Sequence, residues 1–188
     1  MSDREKFLKE KISSLVPKET ELESRGEHFD FHAPVTCSVT TSHLIAVGFG
    51  DGKVRFFFEG EKPSTIDAHN GVVLSIATNG EYIFTGGDDG RFLKLSQNGD
   101  IVEIANFNSR WVDSVAAYKD SMVCSSGRNV YIWSGDQKKA KSLEHSSTVG
   151  GLAFDHTGKR LAVSSYGGVT VWERCLLYTS PSPRDGTS

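Results

Sequence analysis

The chain lacks long apolar runs, which argues against a protein that crosses membranes through helices. None of its apolar stretches approaches the roughly 20 residues that a helix needs to span a bilayer. The N-terminus lacks the succession of charged, apolar and small residues typical of a secretory signal. An excess of one charge is also lacking, since the formal net charge is −3 and basic and acidic residues are interspersed. This balance argues against nucleic acid and anionic membranes as partners.

Cysteine is scarce, and the three cysteines show no spacing typical of a disulfide framework. Cys37 and Cys124 fall within predicted strands, where we expect buried thiols, and Cys175 lies in the C-terminal tail. Unpaired cysteines fit a reducing compartment, so we expect a cytoplasmic location. There is no C-x-x-C and no H-x-E motif, so the sequence predicts neither a metal site nor a cofactor.

Residues 69–99 contain three short runs of β-branched, aromatic and aliphatic residues, each followed by a turn motif. The dipeptides Asn79-Gly80, Asp89-Gly90 and Asn98-Gly99 tolerate the positive φ angles of tight hairpin turns. The stretch therefore predicts antiparallel strands. Such short strands have too little core to be stable alone and need neighbours on both faces.

The same unit recurs about every 40 residues, a period with four strands that predicts propeller blades rather than a helical solenoid. The third runs of successive units end at separations of 38, 38 and 39 residues, at Phe57, Leu95, Trp133 and Trp172. We predict strands at 35–39, 44–48, 54–57 and 64–67 in the first unit, 72–77, 82–86, 91–96 and 101–106 in the second, 112–117, 122–125, 130–133 and 140–143 in the third, and 151–154, 161–164 and 169–172 in the fourth.

At these residues the chain resembles the WD40 β-propeller family, in which a His, a Ser or Thr, an Asp and a Trp form a buried hydrogen-bonded set that locks each blade. The resemblance implies an all-β fold with about four blades of a partial ring. No unit carries all four residues, because Leu95 stands at the Trp position of the second unit and the fourth unit lacks the Asp. The blade-locking residues that the resemblance implies are His69, Thr85, Asp89, Asp51, Trp133, His145, Ser164 and Trp172.

The chain is predicted to have three segments. Residues 1–29 form an N-terminal helical extension and linker, with an amphipathic helix that ends at Pro17. This helix either packs on the propeller, docks a partner or, less in keeping with its acidic residues, lies on a membrane. Residues 23–31 are an alternative strand for the last blade. Residues 30–174 form the partial propeller.

Residues 175–188 form the third segment, in which the strand pattern stops and two of the five prolines occur. Their sequence resembles the translation of a sequencing adapter, so we interpret them as an artefactual tail or, alternatively, as a disordered one. On the first interpretation the natural protein continues past Arg174. The open ring would then expose apolar faces on its first and fourth blades, and we expect the chain to associate or to be molten.

The resemblance implies a non-catalytic scaffold that binds a protein or peptide through loops on one propeller face. The glycine-rich stretches do not open a helix, so they predict no phosphate site. Trp111 is interpreted either as core beside the channel or as part of a recognition patch, because aromatic residues and Arg dominate interface energies. The alternatives are a propeller-type enzyme with channel residues outside this sequence, and a regulatory subunit docked through residues 1–17. Candidate partner-binding residues are Arg110, Trp111, Asp88, Arg128 and Tyr166.

Overall fold

A computed structural model of the chain describes residues 20–135 and 139–173. The chain divides into two compact units, with the boundary between His32 and Ala33. In the first unit the described part contains the 3-10 turn Glu23–Arg25. Thr20 N–H donates to Glu23 Oε2 (2.6 Å), and Glu23 N–H donates to Thr20 Oγ1 (3.2 Å). This reciprocal capping stabilises a turn, and residues 23–31 form no strand in this structure. The predicted helix that ends at Pro17 and the tail 175–188 lie outside the described residues.

The second unit is built from four antiparallel sheets, which we call blades 1 to 4. Blades 1 to 3 have four strands each, and blade 4 has three strands in the described part of the chain. The all-β prediction with propeller-like blades is therefore confirmed. The strands are β1 (Val35–Thr40), β2 (Leu44–Phe49), β3 (Lys53–Phe58) and β4 (Ser64–Asp67) in blade 1, β5 (Val73–Thr78), β6 (Ile83–Gly87), β7 (Arg91–Leu95) and β8 (Ile101–Asn106) in blade 2, β9 (Ser114–Tyr118), β10 (Ser121–Ser126), β11 (Asn129–Ser134) and β12 (Lys141–Glu144) in blade 3, and β13 (Val149–Phe154), β14 (Arg160–Ser165) and β15 (Gly168–Glu173) in blade 4.

Three apolar clusters fill the spaces between successive blades. The first strands of neighbouring blades pack together, β1 on β5, β5 on β9 and β9 on β13. Blades 2 and 3 thus bury both faces against their neighbours, and blades 1 and 4 bury one face each, which supplies core that a single blade lacks. Fully buried members are Phe56 and Leu95 between blades 1 and 2, Phe92 and Val112 between blades 2 and 3, and Ile132 and Leu161 between blades 3 and 4.

The strand register aligns the four blades residue by residue. The third-strand residues that mark the repeat pair with Ile45, Ile83, Met122 and Leu161 of the second strands. Blades 1 and 2 have three-residue hairpins between the second and third strands, at 50–52 and 88–90, whereas blades 3 and 4 have only two-residue hairpins, at 127–128 and 166–167. This difference of one residue shifts any alignment made by counting from the third strand back across the hairpin.

The loops of each blade leave the sheet at two opposite edges, because neighbouring strands run antiparallel. One edge carries the hairpins just named together with the connections between blades, at 68–72, 107–113 and 145–148. We call this edge the loop face. None of the helical segments in the described ranges is long and apolar enough to cross a membrane.

Candidate functional site

A buried hydrogen-bonded set fixes the loop face of blade 2. His69 Nδ1 lies 2.9 Å from Asp89 Oδ1, and His69 Nε2 lies 2.9 Å from Thr85 Oγ1. His69 sits in the connection before β5, Thr85 in β6 and Asp89 in the hairpin that follows. The three side chains therefore join the connection, the second strand and the hairpin. Leu95, fully buried, takes the place of the Trp.

Burial lowers the pKa of His69, although the Asp89 carboxylate opposes this effect. The imidazole is therefore neutral at pH 7, so one ring nitrogen donates a hydrogen bond and the other accepts one. Nδ1–H donates to Asp89, and Nε2 accepts from the Thr85 hydroxyl. Burial disfavours the charged form of Asp89, but hydrogen bonds from the Asn70 backbone and from His69 outweigh it and lower the pKa of this carboxyl. The lock thus combines an ionised carboxylate with a neutral imidazole.

The two aspartates of the blade 2 hairpin also hold the backbone of the loop face. Asn70 N–H donates to Asp89 Oδ2 (3.0 Å), and Val72 N–H donates to Asp88 Oδ1 (2.7 Å). Asp88 is a predicted partner contact, and in the structure one of its oxygens stabilises the connection 68–72. The backbone partners of both aspartates were missed at the sequence level, because nothing in the composition of residues 70–72 indicates them.

In blade 4 the structure does not bring the predicted set together. Ser164 Oγ–H donates to the carbonyl of Gly151 (3.4 Å) instead of contacting His145. The position equivalent to Thr85 is occupied by Val163, which pairs with Thr170 as Thr85 pairs with Leu93. The strand register explains the difference, since Ser164 pairs with Gly151 as Gly86 pairs with Ser75, one position beyond the residue equivalent to Thr85. His145 and Trp172 do meet, with ring centroids 6.4 Å apart in an edge arrangement.

Blades 1 and 3 use other contacts at these positions. Asp51 pairs with Arg55, whose Nη2 lies 2.7 Å from Asp51 Oδ2, and this bond lowers the pKa of the carboxyl. Arg55 takes the place of Leu93 in blade 2, so blade 1 holds its hairpin through an ion pair within one blade. Trp133 is buried against Phe92 of blade 2, with ring centroids 5.5 Å apart. It therefore contributes to the apolar contact between blades.

Trp111 lies on the loop face and is 57% exposed, which favours the recognition patch over the core interpretation. Its connection is anchored at both ends to the hairpin region of blade 2. Phe107 N–H donates to the carbonyl of Gly90 (2.8 Å), and Val112 N–H donates to that of Gly87 (3.0 Å). The Phe107 ring packs on Tyr131 of blade 3, with centroids 4.6 Å apart. Trp111 is thus presented by a backbone that neighbouring blades hold in place.

The other candidate contacts lie on the same loop face. Arg110 is exposed next to Trp111, and its guanidinium carbon lies 6.0 Å above the Phe107 ring. Arg128, in the blade 3 hairpin, pairs with Glu144 (2.6 Å) while both side chains remain largely exposed. Tyr166, in the blade 4 hairpin, is 93% exposed. The face therefore combines two exposed aromatic rings with two guanidinium groups.

A groove of about 450 Å³ opens at the opposite edge, between blades 2 and 3. Lys94 Nζ lies 3.4 Å from the centre of the Tyr82 ring, and Met122 and Lys119 line the neighbouring wall. No sequence motif indicated this groove, because it forms only where two blades meet. Within the described ranges, no cluster of three or more His, Cys, Asp or Glu side chains has a geometry that holds a metal ion.

Residues 60–92 and 137–173 match the WD40 family model, described as WD domain, G-beta repeat. The fold is similar to the crystal structure of the computationally designed Ika4 protein, with a TM-score of 0.66 and 18% identity over 79% of this chain and 98% of that one. It is also similar to U3-55K, with a TM-score of 0.67 and 18% identity over 77% of this chain and 50% of that one. A chain of the crystal structure of the mitotic checkpoint complex is similar as well, with a TM-score of 0.64 and 20% identity over 78% of this chain and 51% of that one. The present chain thus spans about half the length of the last two. No curated protein matches the sequence.

Proposed function

We propose that this chain, a WD40-repeat β-propeller protein, is a non-catalytic scaffold that binds a protein or peptide partner through its loop face. WD40 propellers generally serve as scaffolds for protein interaction. One of the similar structures is described as a mitotic checkpoint complex, which is an assembly. Fold alone does not define a partner, so the proposal depends on the side chains of the loop face.

The observation that carries the proposal is the exposure of Trp111 on an anchored connection. A large aromatic ring exposed to water costs free energy that burial in an interface would recover. Because two backbone hydrogen bonds hold its loop, little conformational entropy is lost on binding. Arg110 and Tyr166 add the residue types that most often dominate binding energy. These features support recognition of a partner with an apolar pocket and acidic groups.

The enzyme alternative needs paired acid and base groups in one cleft. Burial raises the pKa of Asp113, which follows Val112 at the end of the connection 107–113. One carboxyl of this kind supplies only one of the two groups that acid–base catalysis needs, so it does not by itself favour the enzyme alternative. The regulatory alternative, docking through residues 1–17, concerns residues outside those described. Our proposal therefore places binding on the loop face, with a cytoplasmic location that fits the unpaired Cys37 and Cys124.

The test compares partners captured by the full chain and by Trp111→Ala from a cell extract, with quantification by mass spectrometry. Val102→Ala is the matched control, because Val102 is 55% exposed but lies on the outer strand β8. We expect Trp111→Ala to lose at least one partner that the Val102→Ala variant retains. Identical partner sets for all three proteins would overturn the proposal.

A further inference from the structure

The chain contains three Asn-Gly pairs, and each lies in a turn or connection that the structure describes. They are Asn70-Gly71, Asn79-Gly80 and Asn98-Gly99. Asparagine is a thermolabile residue, and it is most labile before glycine, because no side chain hinders attack by the glycine nitrogen on the asparagine carboxamide. The three dipeptides are chemically identical, so a large difference in their reactivity has to come from the fold.

The reaction is a ring closure followed by hydrolysis. The backbone nitrogen of the glycine attacks the side-chain carbon Cγ of the asparagine, so an N–Cγ bond forms and the Cγ–Nδ2 bond breaks. The amide proton of the glycine leaves with Nδ2 as ammonia, and a succinimide ring remains. Water then adds to one of the two ring carbonyls and opens the ring to aspartate or to isoaspartate. Because the carboxamide has to turn towards the glycine nitrogen, hydrogen bonds that hold it slow the reaction.

The carboxamide of Asn79 is held at both of its polar atoms. Nδ2–H donates to the carbonyl of Lys119 in blade 3 (2.6 Å). Oδ1 accepts from the backbone N–H groups of Glu81 (3.1 Å) and Tyr82 (2.8 Å). Ring closure at this pair therefore requires the loss of hydrogen bonds within blade 2 and of one between blades 2 and 3.

Asn98-Gly99 differs from that pair in the state of its carboxamide. Both glycines have a positive φ, +94° at Gly99 and +97° at Gly80, and a Cβ on either would meet open space. Each glycine nitrogen donates one hydrogen bond. Gly99 donates to the carbonyl of Ser96 (3.2 Å), and Gly80 donates to Thr78 Oγ1 (3.0 Å). Asn98, however, is exposed, and its side chain makes no hydrogen bond within residues 20–135 and 139–173, so it can turn towards Gly99.

Asn70-Gly71 combines an exposed asparagine with a fixed backbone. Asn70 N–H donates to Asp89 Oδ2 (3.0 Å), and Val72 N–H donates to Asp88 Oδ1 (2.7 Å). A Cβ on Gly71 would collide with the Asp88 carboxylate. Rotation of this backbone into the ring-closing geometry strains both hydrogen bonds, and the nearby negative charge disfavours loss of the amide proton.

We propose that Asn98-Gly99, in the turn between β7 and β8, is the site at which the folded chain converts asparagine into aspartate and isoaspartate, whereas the fold protects the other two pairs. This turn lies at the edge opposite the loop face, so the proposed partner site is left unchanged. The product carries a negative charge two residues before Asp100. Isoaspartate also lengthens the backbone of the turn, because the chain then passes through the side-chain carbon.

The test incubates the full chain in mildly alkaline buffer, under native conditions and in concentrated guanidinium chloride. Peptide mapping by mass spectrometry measures the rate of conversion of each asparagine, and the rate in denaturant serves as the reference for its local sequence. Relative to this reference, we expect Asn79 to react on the order of 100-fold more slowly than Asn98 in the native chain, because its carboxamide must give up its hydrogen bonds. Asn70 should react about tenfold or more slowly than Asn98, because its backbone must give up two.

Asn98→Gln is the matched control, because a side chain longer by one methylene closes such a ring far more slowly. Conversion at position 98 should then disappear, while the native rates at Asn70 and Asn79 stay unchanged. Two outcomes would overturn the proposal. The first is an Asn79 or Asn70 that reacts as fast as Asn98 in the native chain. The second is a set of rates whose ratios are the same in native buffer and in denaturant, because local sequence and not the fold would then decide the site.

Discussion

Val163 faces Thr170 in blade 4 at the strand position where Thr85 faces Leu93 in blade 2. Thr85 donates its hydroxyl proton to His69, whereas Val163 has only methyl groups. Among the described residues, the buried Nε2 of His145 and Nε1 of Trp172 consequently lack hydrogen-bond partners. Blade 4 thus carries two of the locking side chains without the hydroxyl that would join them.

Val163→Thr is therefore expected to stabilise the protein, although a buried Val-to-Thr change usually destabilises. The new hydroxyl would accept from Trp172 Nε1–H and donate to His145 Nε2, which would satisfy two buried polar atoms. We expect the free energy of unfolding to rise by about 1 kcal/mol. Denaturant unfolding of wild type and variant measures the difference.

Val123→Thr is the matched control, because Val123 is fully buried between blades 3 and 4 in an apolar cluster. A hydroxyl placed there should cost roughly 1–3 kcal/mol. If Val163→Thr destabilises as much as Val123→Thr, then the alignment of Val163 with Thr85 is incorrect.

The strands were predictable from the sequence because the repeat period and the turn residues indicate the same strand positions. The predicted strands 64–67 and 101–106 match β4 and β8 in full. The first strand of blade 3 was predicted at 112–117 but is Ser114–Tyr118. Val112 directs its N–H to Gly87 of blade 2, and this contact between blades removes it from its own sheet. Such a contact leaves no trace in local composition.

The site was less predictable, because its geometry depends on the strand register and on the hydrogen-bond partner of each side chain. Ser164 was placed in the lock because the resemblance implies a Ser or Thr in the second strand, but the strand register puts it one position beyond Val163. Arg55, as the partner of Asp51, was missed because its position is apolar in blade 2, where Leu93 stands. The exposure of Trp111 was left open by the sequence, since an aromatic residue beside a strand suits a core and a surface equally well.

The stability of the protein is expected to depend on pH through His69. Its pKa in the folded state is lowered, so the unfolded chain binds this proton more readily. The contribution of the lock is present above the unfolded pKa of about 6.5 and is lost as the pH falls from there to the folded pKa. Asp89, with a lowered pKa, adds a further loss at more acidic pH. Unfolding free energies measured between neutral and acidic pH test this slope.

His69→Gln removes the titrating group and should flatten the upper part of the slope. At neutral pH this variant should also lose roughly 1–3 kcal/mol, since Thr85 and Asp89 lose a buried partner. His156→Gln changes an exposed histidine outside the lock and serves as the matched control. A His69→Gln protein with an unchanged slope would show that other groups cause the acid loss.

Replacement of Trp111 by Ala and of Trp133 by Ala is expected to change the free energy of unfolding by very different amounts. Trp111 is mostly exposed, so Trp111→Ala should change the free energy of unfolding by about 0.5 kcal/mol or less. Trp133 is buried against Phe92, so Trp133→Ala should cost about 3–5 kcal/mol. Chemical unfolding of both variants decides the matter, and a large loss for Trp111→Ala would instead indicate a packing role.

Gly90 connects the stability of blade 2 to the position of the loop that carries Trp111. Its φ of +79° disfavours any side chain, and a Cβ there would collide with the carbonyl oxygen of Asn108. Gly99 has a φ of +94° in open space, so Gly99→Ala measures the backbone cost alone, about 1–2 kcal/mol. Gly90→Ala should cost a further 1–3 kcal/mol or so from overpacking.

Because the collision displaces residues 107–110, Gly90→Ala should also weaken partner binding at temperatures where both variants remain folded. Equal losses in stability and binding for the two variants would show that the contact with Asn108 does not position the loop.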